Sequence, residues 1–409
     1  MSRDGRGPSP GLVGATLHLG RRPFETAHGR FELHLFRDLA RARTAMAIVR
    51  GDPGSARPLL ARVHSGCVTS ESLGACDCDC AEQLEGALAE MARADRGVLF
   101  YLLQEGRGAG LSAKARDRMI VQASGHRRTT FEAFAEMGLP ADLRSYEELV
   151  PMARWLGIRA PLRLLTNNPV KAEAVAVALR DAKIQIGGSE PIQGADSPFN
   201  TDYLAAKERS GHALDRAGHR IGAPVPDCFE IEPPTPALGA PHLISMARYL
   251  LPVAFATRSG DRGERLDRPD TGRESTVEWF PLRVVFDRRT ARESILLSGP
   301  RRKAGFEAQA APVRETRSVY RLGLIDRLPG PAARGRWALR SALRAMRIRG
   351  GGTLAIDLDE TGAEAGAETT EPSAGEAEAR LRVAEEMLSA RWPDAPDASG
   401  NRDPIDAAS

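Results

Sequence analysis

"VHSGCVTSESLGACDCDCAEQLEGAL", residues 63–88, sets four of the chain's five cysteines within fourteen positions, Cys67 to Cys80. Cys76, Cys78 and Cys80 alternate with Asp77 and Asp79. An extended backbone would turn these thiols to one face and the carboxylates to the other, and a tight turn could do the same by another route. Cys67, at the end of the strand-like "LLARVHSGC", can return to complete a thiolate set. Soft thiolates at tetrahedral positions suit zinc. Packing the cysteines as small hydrophobes is a poor alternative, because aspartate is rarely buried. Spacing leaves open whether four sulfurs close the site or three leave it open.

Working outward, "RFELHLF" and "AMAIVRG" read as strands before the cysteines. After them, "AEQLEGALAEMARADRG" (81–97) has helical spacing and stops at Gly97. "VLFYLL" (98–103) is a short apolar run suited to a buried strand, and "QEGRGAG" breaks it before a polar helix over Leu111 to Ala123. "SYEELVPMARWLGI" reads as a helix and "PLRLLTNNP" as a strand. "PVKAEAVAVALRDA" is a helix with Pro169 in its first turn. This alternation predicts a mixed α/β (α+β) fold over residues 25–215, preceded by a flexible leader at 1–24. A Pro-rich linker is expected at 216–241, then a smaller C-terminal region over 242–358, where "LRVVFD" and "GTLAIDLD" read as strands. "RWALRSALRAMRIRG" reads as a basic helix there, and a solvated helix face is its expected role. Residues 359–409 are acidic and rich in small residues, and are expected to be a largely disordered tail with one helix near 374–391.

A chain of 409 residues with 42% apolar content can bury a core, and its net charge of +3 points to neither nucleic acid nor membrane. Aromatics at 5% disfavour stacking platforms for single strands. The N-terminus has no signal-peptide core and no stretch is long enough to span a bilayer, so a soluble cytoplasmic protein is expected. Thiols stay reduced there, which favours metal or catalysis over disulfides.

Four motifs in order, "VHSGCVTSESLGACDCDCAEQLEGAL", "LFYLLQEGRGAGLSAKAR", "GLPADLRSY" and "RLLTNNPVKAEAV", resemble GTP cyclohydrolase II, the first enzyme of riboflavin synthesis. The resemblance covers about residues 25–215. It implies zinc held by Cys67, Cys78 and Cys80, with water in the fourth position for attack on C8 of guanine. Formate and pyrophosphate would leave, giving 2,5-diamino-6-(5-phosphoribosylamino)pyrimidin-4(3H)-one. Cys76 departs from the family's usual apolar residue and is expected to be a bystander to the metal.

"QEGRGAGL" sits between strand and helix, where backbone N–H groups can face an anion, and Arg107 suits phosphate. The likeness assigns Glu105, Gly106 and Arg107 to GTP, with Arg62, Val63, His64, Ser65 and Gly66 along the nucleotide and hydrogen bonds from Gln83 and Thr130. Asp142 and Arg144, in "ADLR", match the family's proton acceptor and its nucleophile toward the α-phosphorus. Arginine stays protonated, so charge stabilisation of phosphoryl transfer is an alternative. Thr166 and Lys171 would also touch substrate; a lysine in a helix's first turn gains nothing from the dipole, which favours anion binding. Mg²⁺ would accompany the triphosphate, and a homodimer is implied.

Further departures are Gly66, where the family commonly has Glu, Arg118, where Tyr is usual near the purine, and a short insertion in "GHRRTT". They raise two alternatives: a paralogue in secondary metabolism with altered nucleotide or arrested product, and a catalytically inactive zinc and nucleotide-binding protein. The C-terminal region is unmatched; "PLRVVFDRRTARESILLSG" faintly resembles the reductase domain of bifunctional riboflavin enzymes, with "RIRGGGTL" (347–354) as its candidate nucleotide loop.

Overall fold

The computed structural model describes residues 11–215, 230–256, 275–300, 317–331, 333–358 and 374–388. The first half is built on β1 (Gly11–Val13), β2 (Thr16–Thr26), β3 (Gly29–Asp38), β4 (Arg43–Arg50), β5 (Leu59–Ser65), β6 (Gly97–Leu102), β7 (Leu162–Leu165) and β8 (Ile186–Glu190). They form one sheet in the order β1-β2-β3-β4-β6-β5-β7-β8. Pairing is antiparallel from β1 through β4 to β6, and parallel from β6 through β5 and β7 to β8. "GVLFYL" reads as continuously apolar because β6 is central and covered on both faces, with every residue buried.

The helices of this half are α1 (Val68–Glu71), α2 (Cys80–Arg93), α3 (Gly110–Ala123), α4 (Thr130–Glu136), α5 (Leu149–Trp155), α6 (Pro169–Leu179) and α7 (Thr201–Arg209). On one face of the sheet, α5 and α6 press Leu149, Met152, Val175 and Leu179 onto Val63, Phe100 and Leu164. On the other, α2 presses Leu84, Leu88 and Met91 onto Met46, Ile48 and Leu99. α6 starts where the sequence says it should: Asn168 Oδ1 accepts from the Lys171 N–H at 3.1 Å, and Pro169 opens the first turn.

Of the expected leader over 1–24, Gly11–Val13 and the residues from Thr16 onward are strands, and residues 1–10 lie outside the described residues. Thr16, His18 and Phe24 are buried while Leu19, Arg21 and Pro23 are exposed. A bulge between His18 and Gly20 interrupts this alternation and hides it from the sequence.

The second half forms a six-stranded sheet from β9 (Thr235–Ala237), β10 (Ala240–Ala256), β11 (Ser275–Asp287), β12 (Arg292–Ser298), β13 (Arg317–Leu322) and β14 (Thr353–Leu358), with α8 (Arg334–Arg349) and α9 (Ala374–Leu388). The order is β13-β14-β12-β11-β10-β9, antiparallel except for β13 with β14. Part of the expected linker is therefore an edge strand, at Thr235–Ala237; residues 216–229 lie outside the described residues. Of the expected tail, α9 packs Ala384, Met387 and Leu388 onto the sheet; residues 359–373 and 389–409 lie outside the described residues. "RIRGGGTL" stops a helix. Gly350 caps α8 with φ +74° and the chain then enters β14, the reverse of the strand–glycine–helix order of a phosphate loop.

The two sheets share a core. Leu111, Ala115 and Met119 of α3 and Val68 and Leu73 pack against Tyr249, Leu251, Phe280 and Leu297 of the second sheet and Leu339 and Leu343 of α8. Glu293 accepts from the N–H groups of Leu111 and Ser112 at 3.2 and 2.8 Å, capping α3 from across the interface. Gln122 makes paired bonds to the backbone of Leu250, at 2.7 and 2.8 Å. Among the described residues no helix is long and apolar enough to cross a membrane.

Near the first sheet's edge, His18 is buried, stacks on Trp155 with centroids 4.4 Å apart, and lies 3.2 Å from His34 Nδ1. Burial, then the neighbouring His34, pushes His18 down to about 4. An unfolded histidine binds its proton near pH 6.5, so between about 6.5 and 4 the unfolded chain holds more protons and folding weakens as pH falls. Urea denaturation at pH 7 and pH 5 should show that loss, and His18→Gln should shrink the difference between the two.

Candidate active site

β5, β6 and β7 run parallel, so their carboxyl ends open on one edge, where ligands bind in open α/β sheets. β5 leads to Gly66 and Cys67, β6 to the 103–110 turn, and β7 to Thr166, Asn167 and Asn168. A cleft of about 400 Å³ lies there. It is large enough for a nucleotide-sized ligand.

The thiols of Cys67, Cys78 and Cys80 lie within 4.8 Å of one another, the one cluster able to hold a metal among the described residues. Cys67 and Cys78 sulfurs are 3.7 Å apart. The alternation expected over 76–80 does not extend that far, because the chain turns at 77–79 and Cys80 begins α2. Cys76 is thereby separated from the others. Its N–H and its thiol both point to the Pro252 carbonyl, at 3.0 and 3.4 Å, and burial followed by Asp77 pushes that thiol up, keeping it neutral. Cys78 is held well below the ordinary thiol range by hydrogen bonds from Cys67 and Cys80. Three crowded sulfurs, one favouring the thiolate, are a donor set that fits a soft dication.

Charged pairs brace this trio from behind. Asp79, wholly buried, accepts from Lys207 Nζ at 2.6 Å and from Gln83 Nε2 at 2.7 Å, and Gln83 Oε1 accepts from Arg62 at 2.7 Å. Asp77 pairs with Arg118 at 3.2 Å. The Lys114 ammonium donates to Cys67 Sγ at 3.0 Å, Thr69 at 2.8 Å and Glu105 at 2.7 Å. Burial works against that ammonium, and Cys67, Glu105 and Cys78 outweigh it, leaving Lys114 raised. His64 Nε2 lies 2.8 Å from Glu71, whose same oxygen accepts from the Cys67 N–H at 3.0 Å; Tyr101 donates to its other oxygen.

The opposite wall is cationic. Gly106 and Arg107 both adopt left-handed backbone, φ +56° and +57°, which is strained for arginine and turns its guanidinium onto the Phe131 ring, 4.0 Å from the centroid. Gly108 is required for contact: a Cβ there would meet the Leu143 backbone at 2.8 Å. The turn thus touches the loop carrying Asp142 and Arg144. Arg144 Nε donates to both Asp142 oxygens, at 2.9 and 3.1 Å. Burial pushes Asp142 up, and Arg144 more than reverses it. Lys171 Nζ reaches the Val63 carbonyl at 2.6 Å, and burial with Arg144 and Arg62 nearby pushes the ammonium well down.

Of the residues expected at the nucleotide, Arg62, His64, Ser65, Gly66, Gln83, Glu105, Gly106, Arg107, Thr130, Asp142, Arg144, Thr166 and Lys171 line this cleft beside the three cysteines. Val63 does not; strand alternation sends its side chain into the core and only its carbonyl faces Lys171. Sequence reasoning missed Lys114, Asp117, Tyr203, Lys207 and His212, all on the cleft wall. The available signal was "YLAAK", a tyrosine and a lysine four apart on one helix face.

Residues 18–188 match the family model for GTP cyclohydrolase II. GTP cyclohydrolase-2 of Pseudomonas putida (strain W619) is 40% identical over 200 residues, 49% of this chain and 89% of that protein. The chain belongs to the GTP cyclohydrolase II family. The same-named protein of Azotobacter vinelandii is 41% identical over 190 residues, 46% of this chain and 88% of its own. Among solved structures, a two-domain 3,4-dihydroxy-2-butanone 4-phosphate synthase from A. baumannii aligns at 20% identity and TM-score 0.25, covering 45% of this chain and 41% of that one, a likeness too slight to bear on the fold. The family match ends at residue 188, before α7 and the second sheet.

Two departures from the family pattern have local causes. At Gly66 a Cβ would lie 2.6 Å from the Tyr101 hydroxyl, so the phenol fills the space of a longer side chain. Arg118 is buried in its pair with Asp77 and lies over the Tyr203 ring, 4.8 Å from the centroid. Cys76→Ala should retain the wild-type metal content after dialysis and Cys78→Ala should lose it, as elemental analysis will report. Lys207→Met leaves Asp79 buried and unpaired, and should cost about 3–5 kcal/mol in chemical denaturation.

Proposed function

We propose that this protein is a zinc-dependent GTP cyclohydrolase II, opening the imidazole ring of GTP and releasing formate and pyrophosphate in the first step of riboflavin synthesis. The product would be 2,5-diamino-6-(5-phosphoribosylamino)pyrimidin-4(3H)-one. The observation that carries this is the open trio of Cys67, Cys78 and Cys80 facing a cationic cleft, with Cys76 turned to Pro252. Zinc bound there would supply Lewis-acid chemistry, lowering the pKa of a coordinated water toward neutrality. Cys67, Cys78 and Cys80 would hold it, and Lys114, which donates to Cys67 Sγ, would balance the charge on that sulfur.

At the other end, Arg107, Arg144 and Lys171 receive the triphosphate, with Mg²⁺ held mainly by the phosphates. Arg144 cannot give up its proton. Its role is to carry positive charge to the α-phosphoryl group in an orientation fixed by Asp142, which favours electrostatic stabilisation over attack by the guanidinium. A homodimer and a cytoplasmic location belong to the same reading. Arg118 in the cleft, where the family usually has Tyr, favours a second reading in which the product is arrested before formate leaves.

Zinc-loaded protein incubated with GTP should give formate, pyrophosphate and the diaminopyrimidine by mass spectrometry. Pyrophosphate without formate would select the arrested reading, and unchanged GTP would exclude both. Arg144→Lys keeps charge but loses the planar fork, and should slow pyrophosphate release about 100-fold.

A further inference from the structure

Tyr203 lies past residue 188, where the match to the family model ends, and none of the roles above uses it. It stands on α7 four residues before Lys207, so both side chains leave the same helix face toward the cysteine loop. Its ring is held between two cations: Arg118 lies 4.8 Å from the centroid and Lys207 Nζ 4.6 Å from it. Each cation is anchored to an aspartate flanking Cys78, Arg118 to Asp77 at 3.2 Å and Lys207 to Asp79 at 2.6 Å. The ring is therefore fixed against the metal-ligand loop. Tyr203 lines the cleft beside Cys78 and Cys80, and no described residue makes a hydrogen bond to its hydroxyl. A phenol hydroxyl carries one proton to donate.

What would accept that proton follows from chemistry. If C8 of a purine is presented to the three-thiol corner, its ring neighbours are N7 and N9. N9 carries the ribose, which leaves N7 as the adjacent acceptor. We infer that Tyr203 is a substrate-contacting residue whose hydroxyl donates to N7 of the bound guanine, positioning the imidazole ring at the cysteine corner. This rests on the GTP reading. It differs from a purely structural role, in which the ring only separates Arg118 from Lys207, because that role needs the ring and not the hydroxyl.

Tyr203→Phe keeps the ring and removes the donor. The readouts are zinc content, melting temperature, kcat/KM for formate release from GTP, and the inhibition constant of 7-deaza-GTP, which has carbon at position 7. The expected result is unchanged zinc and melting temperature, kcat/KM lowered tenfold or more, and a 7-deaza-GTP constant within twofold of wild type. Wild-type turnover in Tyr203→Phe would overturn the inference. So would loss of zinc, or equal weakening toward GTP and 7-deaza-GTP. Wild-type protein that releases no formate sinks the GTP reading first, and this inference with it.

Discussion

Burying carboxylates between metal ligands is costly unless each meets a cation, and the arrangement of this molecule follows from that constraint. Asp77 and Asp79 sit between cysteines that must converge, so the chain cannot bring the thiols together without enclosing the carboxylates. Arg118 comes from α3 and Lys207 from α7, residues more than eighty positions apart in the chain. Their partners separate Cys78 from its neighbours on either side. Charge pairing thereby fixes both the turn at 77–79 and the approach of two distant helices to it.

The second sheet holds the same loop from the other side. Ala75 bridges Val253, and the Ala254 N–H donates to the Gly74 carbonyl at 3.3 Å, so the approach to the cysteines is treated as a short extra strand of β10. Arg340 of α8 donates to the Leu73 carbonyl. α3, which carries Lys114 and Arg118, is capped by Glu293 and packed on Phe280. Cys76 then has a plain explanation: it is the residue at which the loop leaves the second sheet, and its thiol belongs to that interface.

The sequence was legible where one period dominated. β4 and β6 were readable because these central strands carry continuous apolar runs, and α2 because its spacing and its glycine boundary agree. The cysteine trio was legible as chemistry, yet its geometry was not: strict alternation would have grouped Cys76 with Cys78 and Cys80, and a turn decided otherwise. β2 was hidden by a bulge and by Arg21 and Pro23 on its exposed positions. The contribution of α7 was hidden for another reason. Tyr203 and Lys207 act on a loop more than a hundred positions earlier, and local spacing puts the two on one helix face without saying which loop that face meets.

The cleft also explains why such bracing is needed. Arg62, Arg144 and Lys171 face one another across a small volume, and with burial their mutual repulsion pushes the Lys171 ammonium well down. Like charges this close would spread apart on a pliable scaffold. Here they cannot: Arg62 is tied to Gln83 and the Leu165 carbonyl at 2.7 Å each, Lys171 to Val63, and Arg144 to Asp142. Gly108 lets the 105–108 turn press directly on the Leu143 backbone. An anion entering this site relieves repulsion already present, so its binding gains from charges the fold has placed in advance, with little reorganisation. Rigidity around the cysteines and tension among the cations are thus two results of the same packing.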